Sequence, residues 1–338
     1  MLFSFPACGK EDAARPQAGG IRTGSGELYP TAFLSFDGTD VEFDLFRYYY
    51  LNYKNMHLEE DADYFEKEGS QEDLKEEILS VLLDLYAIRF LAEENGVHLT
   101  KNDRKLVEED VKKTVEFYNG KDAFLSYLEQ SYMTEELYVY MMEYSSLYLK
   151  LFNKLYKDGG KKEWSDEKFY SYYEDNYLAA QQIFLPYKDN GEDKASHPKT
   201  AKLAESVHKK AGDGADFWKL IEEYGKDDNM KDYPDGYYFT KGQAEDTLYE
   251  ATAALKTGEI SKPVEGETGL YIIRRMEMKK LRMDENRETT LYGYTDTLGN
   301  WNAGVYDNEF QSLYKARAEK IKVNFSSYWD TVSTKTVY

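Results

Sequence analysis

The sequence predicts an α+β protein that combines a mostly helical domain with a smaller domain of sheet and helices. Two observations carry this prediction. Residues 31–177 are dominated by apolar side chains at three- and four-residue steps, which is the spacing of amphipathic helices. Residues 178–280 instead alternate strand-like and helix-like segments that are separated by glycines. A chain of 338 residues is long enough for two or three domains.

The helical segment opens on a short strand at residues 32–36 and a turn at Asp37-Gly38, before a helix that begins near Val41. An amphipathic helix follows from Ser70 to about residue 95, where an Asn-Gly pair ends it. Thr100 and Asp103 are spaced as an N-terminal capping pair for the next helix. Further helices are predicted around residues 124–128, 134–158 and 168–176.

The second segment has its own order of elements. Strands are predicted at residues 180–185, 236–239 and 270–276, and helices at 198–210, 217–221 and 243–256. Gly258 ends the last of these helices. Residues 282–300 are polar and predict a loop or hairpin, whereas residues 301–320 have helical spacing and 321–325 predict a strand.

Composition excludes several functions. With 43 Lys and Arg against 63 Asp and Glu, the net charge of −20 disfavours nucleic acid as a partner. A single cysteine excludes an internal disulfide framework, and the four histidines lack metal-ligand spacing, so we expect no metal site and no cofactor. The 32 tyrosines suit either adaptable contact with unfolded polypeptide or ordinary helix interfaces.

The N-terminus resembles the end of a bacterial lipoprotein signal. Residues 1–7 are largely apolar, and Ala7 precedes Cys8, after which the sequence turns polar. The alternative is an ordinary tail with a chance cysteine. If Cys8 is lipidated, residues 1–30 form a signal remnant and flexible tether that anchors the protein to the outer face of the cytoplasmic membrane.

A family resemblance lies in residues 241–273, which contain Lys241-Gly242-Gln243, the run 254–261 and the strand 269–273. Their order resembles that of parvulin-type peptidyl-prolyl isomerases, and the flanking segments resemble PrsA- and SurA-like extracytoplasmic foldases. The resemblance implies an antiparallel parvulin-like domain at 178–280, inserted into a chaperone-like helical domain. Residues 31–177 supply that domain's first part, and residues 281–338 return to it, with strand 321–325 pairing beside residues 33–36.

The resemblance also assigns the site residues. Parvulins resemble one another in using two facing histidines, a central acid or cysteine, a hydroxyl residue, and a Met and Phe that grip proline. The histidine positions fall on Gln182 and Tyr271, the acid on Asp227 with Asp228 as the alternative register, and the hydroxyl on Thr268.

The proline slot is altered as well. The family's Met and Phe fall on Ala244 and Leu248, which widens the slot, and Phe239 and Gln243 complete the predicted substrate-binding surface.

These assignments predict an extracytoplasmic folding factor that binds unfolded or newly secreted polypeptide through X–Pro segments. In this interpretation the catalytic residues of the parvulin-like domain are largely replaced, so isomerase activity is weak or lost. An active peptidyl-prolyl isomerase and a surface lipoprotein with one dedicated protein partner are the alternatives. Contact with the membrane is expected only through a lipid anchor.

Overall fold

The structure is a computed structural model that describes residues 34–157, 159–296 and 299–337. Cys8, Ala32 and Phe33 lie outside these ranges. Contacts between Cα atoms divide the chain into two compact units. One takes in the residues up to Glu163 and those from Tyr306 onwards, and the other is Trp164–Val305.

The first unit begins with two short strands and five helices. The strands are β1 (Leu34–Phe36) and β2 (Thr39–Asp40), joined by a turn in which Asp37 and Gly38 both have positive φ. The helices are α1 (Phe43–Glu60), α2 (Ser70–Glu94), α3 (Lys101–Phe117), α4 (Lys121–Gln130) and α5 (Glu135–Tyr156). The predicted capping pair is confirmed, because Thr100 and Asp103 bond each other's backbone N–H at the start of α3.

The second unit follows with α6 (Asp166–Asn176), β3 (Tyr177–Pro186), α7 (Pro198–Gly212), α8 (Phe217–Tyr224), β4 (Tyr237–Thr240), α9 (Asp246–Ala253), β5 (Val264–Glu265), β6 (Gly269–Arg275), α10 (Lys280–Tyr292), β7 (Tyr294–Thr295) and β8 (Trp301–Asn302). Its main sheet is antiparallel, in the order β4-β3-β6-β5. The two-residue strand β5 was not predicted from the sequence.

The chain then returns to the first unit through α11 (Val305–Ala318) and β9 (Val323–Phe325). Strand β9 pairs antiparallel with β1, with Ser35 opposite Asn324. The predicted pairing of the two ends is therefore confirmed for residues 34–36 and 323–325.

The period-two alternation of β3 and β6 separates two apolar clusters in the second unit. On one face Ile183, Leu185 and Ile272 are buried against α7 and α8. The opposite face carries Ala180, Tyr271 and Ile273 towards α9. Gln182 lies on this second face because it stands opposite Ile273 in the register. The sheet thus puts Gln182 and Tyr271 on the α9 side.

Glycine is required where β4 approaches β3. Gly236 has a φ of 88°, and a Cβ atom there would lie 2.8 Å from the carbonyl oxygen of Ala180. A larger residue would therefore separate the edge strand from the sheet.

Three predicted elements were wrong in their extent or type. The helix predicted at residues 243–256 is α9, which is shorter, because the Gln243 side chain accepts a hydrogen bond from Thr240 N at 3.0 Å and closes a turn before the helix. The predicted loop or hairpin at 282–300 is largely helix α10, followed by the β7–β8 hairpin. The helix predicted from residue 301 begins at Val305, since Trp301 belongs to β8.

The compact second unit is wider than the predicted parvulin-like segment 178–280. Helices α6 and α10 flank the sheet in the sequence and bond to each other, for example through Arg287 Nη2 and Asp166 Oδ1 at 2.7 Å. The domain boundaries at residues 178 and 280 stay a prediction.

Candidate active site

The apolar part of the site is a cluster on the α9 face of the sheet. Leu248 of α9 is buried with Ala180, Tyr271 and Ile273. Further apolar side chains are half-buried against them, among which are Phe184, Phe239, Ala244 and Val264. The predicted substrate-binding residues Leu248, Ala244 and Phe239 are therefore brought together. Gln243 is exposed, and its side chain closes the turn after β4.

A half-buried carboxylate lies beside this cluster. Asp227 Oδ2 accepts hydrogen bonds from Gln182 Nε2 at 2.8 Å and from the Tyr237 hydroxyl at 2.9 Å. The loop that carries Asp227 is tied to β3, because Lys226 N donates to the carbonyl oxygen of Phe184 at 2.9 Å. Asp228, the alternative register, is exposed and pairs with Lys231 at 2.9 Å, so the geometry favours Asp227.

Burial raises the pKa of the Tyr237 phenol well above its ordinary value, and its hydrogen bond to Asp227 raises this pKa further. Tyr237 is consequently a neutral donor at every physiological pH. Gln182 is a neutral donor too, because an amide does not titrate. The two donors therefore hold the carboxylate without titrating themselves.

The second predicted pair is Tyr271 and Thr268. The Tyr271 ring stacks on Phe184 with 4.7 Å between ring centroids. Burial raises the pKa of Tyr271, the charges of Glu245 and Asp227 raise it further, and a hydrogen bond with the Thr268 side chain lowers it. Thr268 itself is exposed on the loop before β6. Gln182 and Asp227 thus form a hydrogen-bonded pair, and Thr268 lies on the loop that leads into the strand of Tyr271.

Three residues in this arrangement were not predicted: Tyr237, Phe184 and Glu245. Tyr237 lies two residues before Phe239 on the edge strand β4. Side chains two residues apart share a face of a strand, so the period of the strand was a usable signal for Tyr237. Glu245 had no such signal, because only the folded loop brings it near Tyr271. A Cβ atom on Gly266 would lie 2.6 Å from Tyr271 Cε2 and 2.8 Å from Glu245 Oε2.

The arrangement is an apolar surface with polar groups at its edge. Leu248, Phe239 and the Tyr271 ring provide apolar walls, and Gln182 and Tyr271 provide hydrogen-bonding groups at the edge. Within the described ranges, no three His, Cys, Asp or Glu side chains are grouped as ligands for a metal ion. None of the described helices combines the length and the apolar character needed to cross a membrane.

Residues 155–279 match the family model described as a PPIC-type PPIASE domain. Among curated proteins, the chain is similar to the foldase protein PrsA of Bacillus subtilis, with 33% identity over 147 residues, which is 43% of this chain and 49% of that protein. It is 28% identical over 217 residues to the foldase protein PrsA of Staphylococcus epidermidis, covering 63% of this chain and 61% of the relative. The chain spans about half to three fifths of the length of these relatives.

Solved structures with a similar chain include PrsA from Bacillus subtilis, at 22% identity and a TM-score of 0.26, covering 72% of this chain and 75% of that one. The solution structure of NmPin, the parvulin of Nitrosopumilus maritimus, is 26% identical with a TM-score of 0.24 and covers 30% of this chain and 97% of that one.

The sequence resemblance is confirmed by the family model and by the curated relatives. The chain contains a PPIC-type parvulin domain and is similar to PrsA foldases. The predicted α+β class, with a parvulin domain inserted in a mostly helical chain, is confirmed as well.

Proposed function

We propose that this protein is an extracytoplasmic folding factor that binds unfolded or newly secreted polypeptide, and that its parvulin domain grips X–Pro segments while its catalytic residues are largely replaced. The observation that carries the proposal is the apolar cluster around Leu248 and Tyr271, placed directly beside the Gln182–Asp227 hydrogen bond. A foldase role is also supported by the similarity to PrsA foldases.

The physical reason for separating binding from catalysis lies in the reaction. Rotation about an X–Pro bond has a barrier of about 18–20 kcal/mol and needs no covalent step. A catalyst lowers this barrier only by contacting the twisted amide more strongly than the planar one. Binding proline needs only the apolar walls. We therefore expect affinity to survive the replacement of the family's histidines by Gln182 and Tyr271 better than catalysis does.

The slot is wider than one lined by the methionine and phenylalanine of the family pattern. Ala244 and Leu248 stand where the resemblance places a methionine and a phenylalanine. On the scale of large-to-small core changes, this loses about 2–5 kcal/mol of packing around a bound proline. A wide slot with small walls favours a binder that accepts varied segments.

An active isomerase is the second candidate, and a specific observation favours it. Asp227 stands at the acid position that the resemblance assigns, and two neutral donors hold it. Such a polar edge still stabilises the altered nitrogen and carbonyl group of a twisted amide.

A proline-peptide isomerisation assay on the wild type and on Asp227→Ala separates these two candidates. Our proposal expects a rate in the wild type that is close to the uncatalysed background and is unchanged by the substitution. A clear wild-type rate that Asp227→Ala abolishes would establish the isomerase instead. Peptide affinity, measured on the same two proteins, shows whether the slot still binds.

The folding role is tested by suppression of aggregation. We expect the full chain to protect several unrelated unfolded proteins at near-equal molar ratio. Protection of none of them would favour the alternative of a surface lipoprotein with one dedicated partner.

The lipid anchor at Cys8 is part of the proposal and rests on the lipoprotein-like order of residues 1–8. Mass spectrometry of protein extracted from membranes should find acyl chains on Cys8, and Cys8→Ser should release the protein from the membrane fraction. An unmodified Cys8 would remove the anchor from the proposal and leave the folding role standing.

A further inference from the structure

We propose that the proline slot selects segments in which the proline is flanked by cationic residues, and that it disfavours prolines flanked by acidic residues. This inference rests on the proposed function, because it names the substrate class of the same slot. The apolar cluster remains the binding site, and the charges beside it set its preference.

Two carboxylates, those of Glu245 and Asp227, lie around Tyr271. Glu245 Oε2 accepts a hydrogen bond from Glu267 N at 2.9 Å, which fixes the carboxylate against the loop before β6. Asp227 is fixed by Gln182 on β3 and Tyr237 on β4. Both negative charges raise the pKa of Tyr271, after the larger effect of burial, so both act on the phenol at the edge of the slot.

Both carboxylates accept their hydrogen bonds from neutral groups. The partners of Asp227 are an amide and a phenol, and the partner of Glu245 is a backbone N–H. Among the described residues, no ion pair within 4.0 Å joins a lysine, arginine or histidine to either carboxylate. The neighbouring carboxylates do have cationic partners, because Asp228 pairs with Lys231 and Glu267 pairs with Lys194. The hydrogen bond to Glu267 raises the pKa of Lys194, and the charge of Glu245 raises it further, but the direct partner of Lys194 is Glu267, so the slot edge keeps two carboxylates that no cation contacts directly among the described residues.

The two carboxylates act on the residues that flank a bound proline. A half-buried carboxylate interacts more strongly with a charge than an exposed one, because less water screens it. A lysine or arginine next to the proline lays its apolar stem along the cluster wall and brings its charge to Glu245 or Asp227. A glutamate in the same place meets like charge, which is the usual means by which a site rejects wrong partners.

The test uses three blocked, fluorescent peptides of equal length with central Lys-Pro-Lys, Leu-Pro-Leu or Glu-Pro-Glu, titrated with the full chain by fluorescence anisotropy. A fourth peptide with Lys-Ala-Lys measures non-specific attraction to a chain of net charge −20. We expect the Lys-Pro-Lys peptide to bind at least about tenfold more tightly than Glu-Pro-Glu, and Leu-Pro-Leu to bind with intermediate affinity. Of the two cationic peptides, Lys-Ala-Lys should bind more weakly than Lys-Pro-Lys.

Matched variants separate a local from a global effect. Glu245→Gln removes one charge and keeps an oxygen that accepts from Glu267 N, and Asp227→Asn is the second site variant. Glu205→Gln removes one charge from an exposed position of α7, on the opposite face of the sheet. We expect the ratio of Lys-Pro-Lys to Glu-Pro-Glu affinity to fall severalfold in both site variants and to stay unchanged in Glu205→Gln.

The failures are distinguishable. Equal affinity for Lys-Pro-Lys and Glu-Pro-Glu, with Leu-Pro-Leu still bound, overturns the charge preference and leaves the proposed function intact. An equal fall of the ratio in Glu205→Gln and Glu245→Gln also overturns it, because the preference would then come from the whole chain. Absence of binding to every peptide overturns the proposed function together with the inference.

Discussion

One oxygen atom illustrates how single residues shape this site. Asp227 Oδ2 accepts hydrogen bonds from Gln182 Nε2 at 2.8 Å and from the Tyr237 hydroxyl at 2.9 Å, and these donors lie on two neighbouring strands. The sequence indicated Asp227 and Gln182, but it gave Tyr237 no role. The hydroxyl and the amide together fix the carboxylate against β3 and β4, so Tyr237 is a positioning residue in this interpretation.

At the residue scale, Tyr237→Phe should destabilise the second unit by roughly 1–3 kcal/mol, because a hydrogen bond to a half-buried carboxylate is lost. Urea unfolding measures this change. Tyr233→Phe is the matched control, since Tyr233 is exposed and its ring stands 5.0 Å from that of Tyr237.

A double-mutant cycle tests whether the effect acts through the carboxylate. Tyr237→Phe should lower the free energy of unfolding clearly less in an Asp227→Ala background than in the wild type. The positioning role would be contradicted if the losses in free energy of unfolding caused by the two substitutions simply add. It would also be contradicted if Tyr233→Phe has an effect as large as that of Tyr237→Phe.

At the element scale, α6 and α10 form a clasp beside the sheet. Tyr173 of α6 is fully buried, stacks on Tyr177 with ring centroids 4.0 Å apart, and accepts a hydrogen bond from Asn286 Nδ2 of α10 at 2.9 Å. Arg287 of α10 lies 4.3 Å over the Phe169 ring. These contacts explain why a polar segment that predicts a loop is helical: its partner helix supplies the stabilisation that its composition lacks.

The clasp predicts a graded loss of stability at Tyr173. Tyr173→Phe should cost about 1 kcal/mol through the lost hydrogen bond, whereas Tyr173→Ala should cost about 3–5 kcal/mol through the cavity that it leaves. Calorimetry of the full chain measures both. Ser171→Ala, at an exposed position of the same helix, should change little; a comparable loss in that control would argue against the clasp.

The start of α3 gives a pH-dependent prediction. Asp103 Oδ2 accepts hydrogen bonds from Lys150 Nζ at 2.5 Å and from Thr100 N at 2.6 Å. The Lys150 hydrogen bond, followed by those of Thr100, lowers the pKa of Asp103 from 3.8 to about 2. A carboxylate with a depressed pKa stabilises the folded state fully above the unfolded value and loses this contribution as pH falls through the folded value.

Asp103→Asn should therefore lower the melting temperature at pH 7, and the difference from the wild type should shrink between about pH 4 and pH 2. Thermal melts across this range measure it. Glu108→Gln, on an exposed position of the same helix, serves as the control and should show no such pH dependence. A constant difference down to pH 2 would show that the ionised form of Asp103 is not what stabilises α3.

At the scale of the whole molecule, the first unit is assembled from both ends of the described chain. Strand β9 pairs with β1, and Arg317 Nε bonds Glu94 Oε1 at 2.8 Å while its Nη2 bonds Asp37 Oδ2 at 3.2 Å. The second unit is formed by one continuous segment, Trp164–Val305. Loss of the C-terminal segment should therefore affect the two units differently.

Removal of residues 321–338 should lower the unfolding temperature of the first unit and leave that of the second unchanged. The reason is that β1 loses its partner and the buried residues Ile321, Val332 and Val337 leave the first unit. Calorimetry of the full and shortened chains resolves the two transitions, and Arg317→Ala should produce a smaller shift of the same transition. A shift in both transitions would contradict this prediction.

The sequence by itself determined the α+β class and the helices of the first unit, because these follow from local periodicity, caps and glycine turns, and its resemblance to parvulins indicated the parvulin domain. The span of α2 and the capping box of α3 agree with the structure for this reason. The resemblance assigned Gln182, Thr268, Tyr271 and either Asp227 or Asp228 to the family's site positions, and that assignment stays a prediction.

Only the tertiary structure decided how those residues meet. Tyr237 reaches Asp227 because β4 pairs with β3, and Glu245 approaches Tyr271 because Gly266 leaves no side chain between them. The helical state of α10 likewise depends on α6, which lies more than a hundred residues earlier. Contacts between residues distant in sequence depend on sheet register and packing, which local periodicity does not encode.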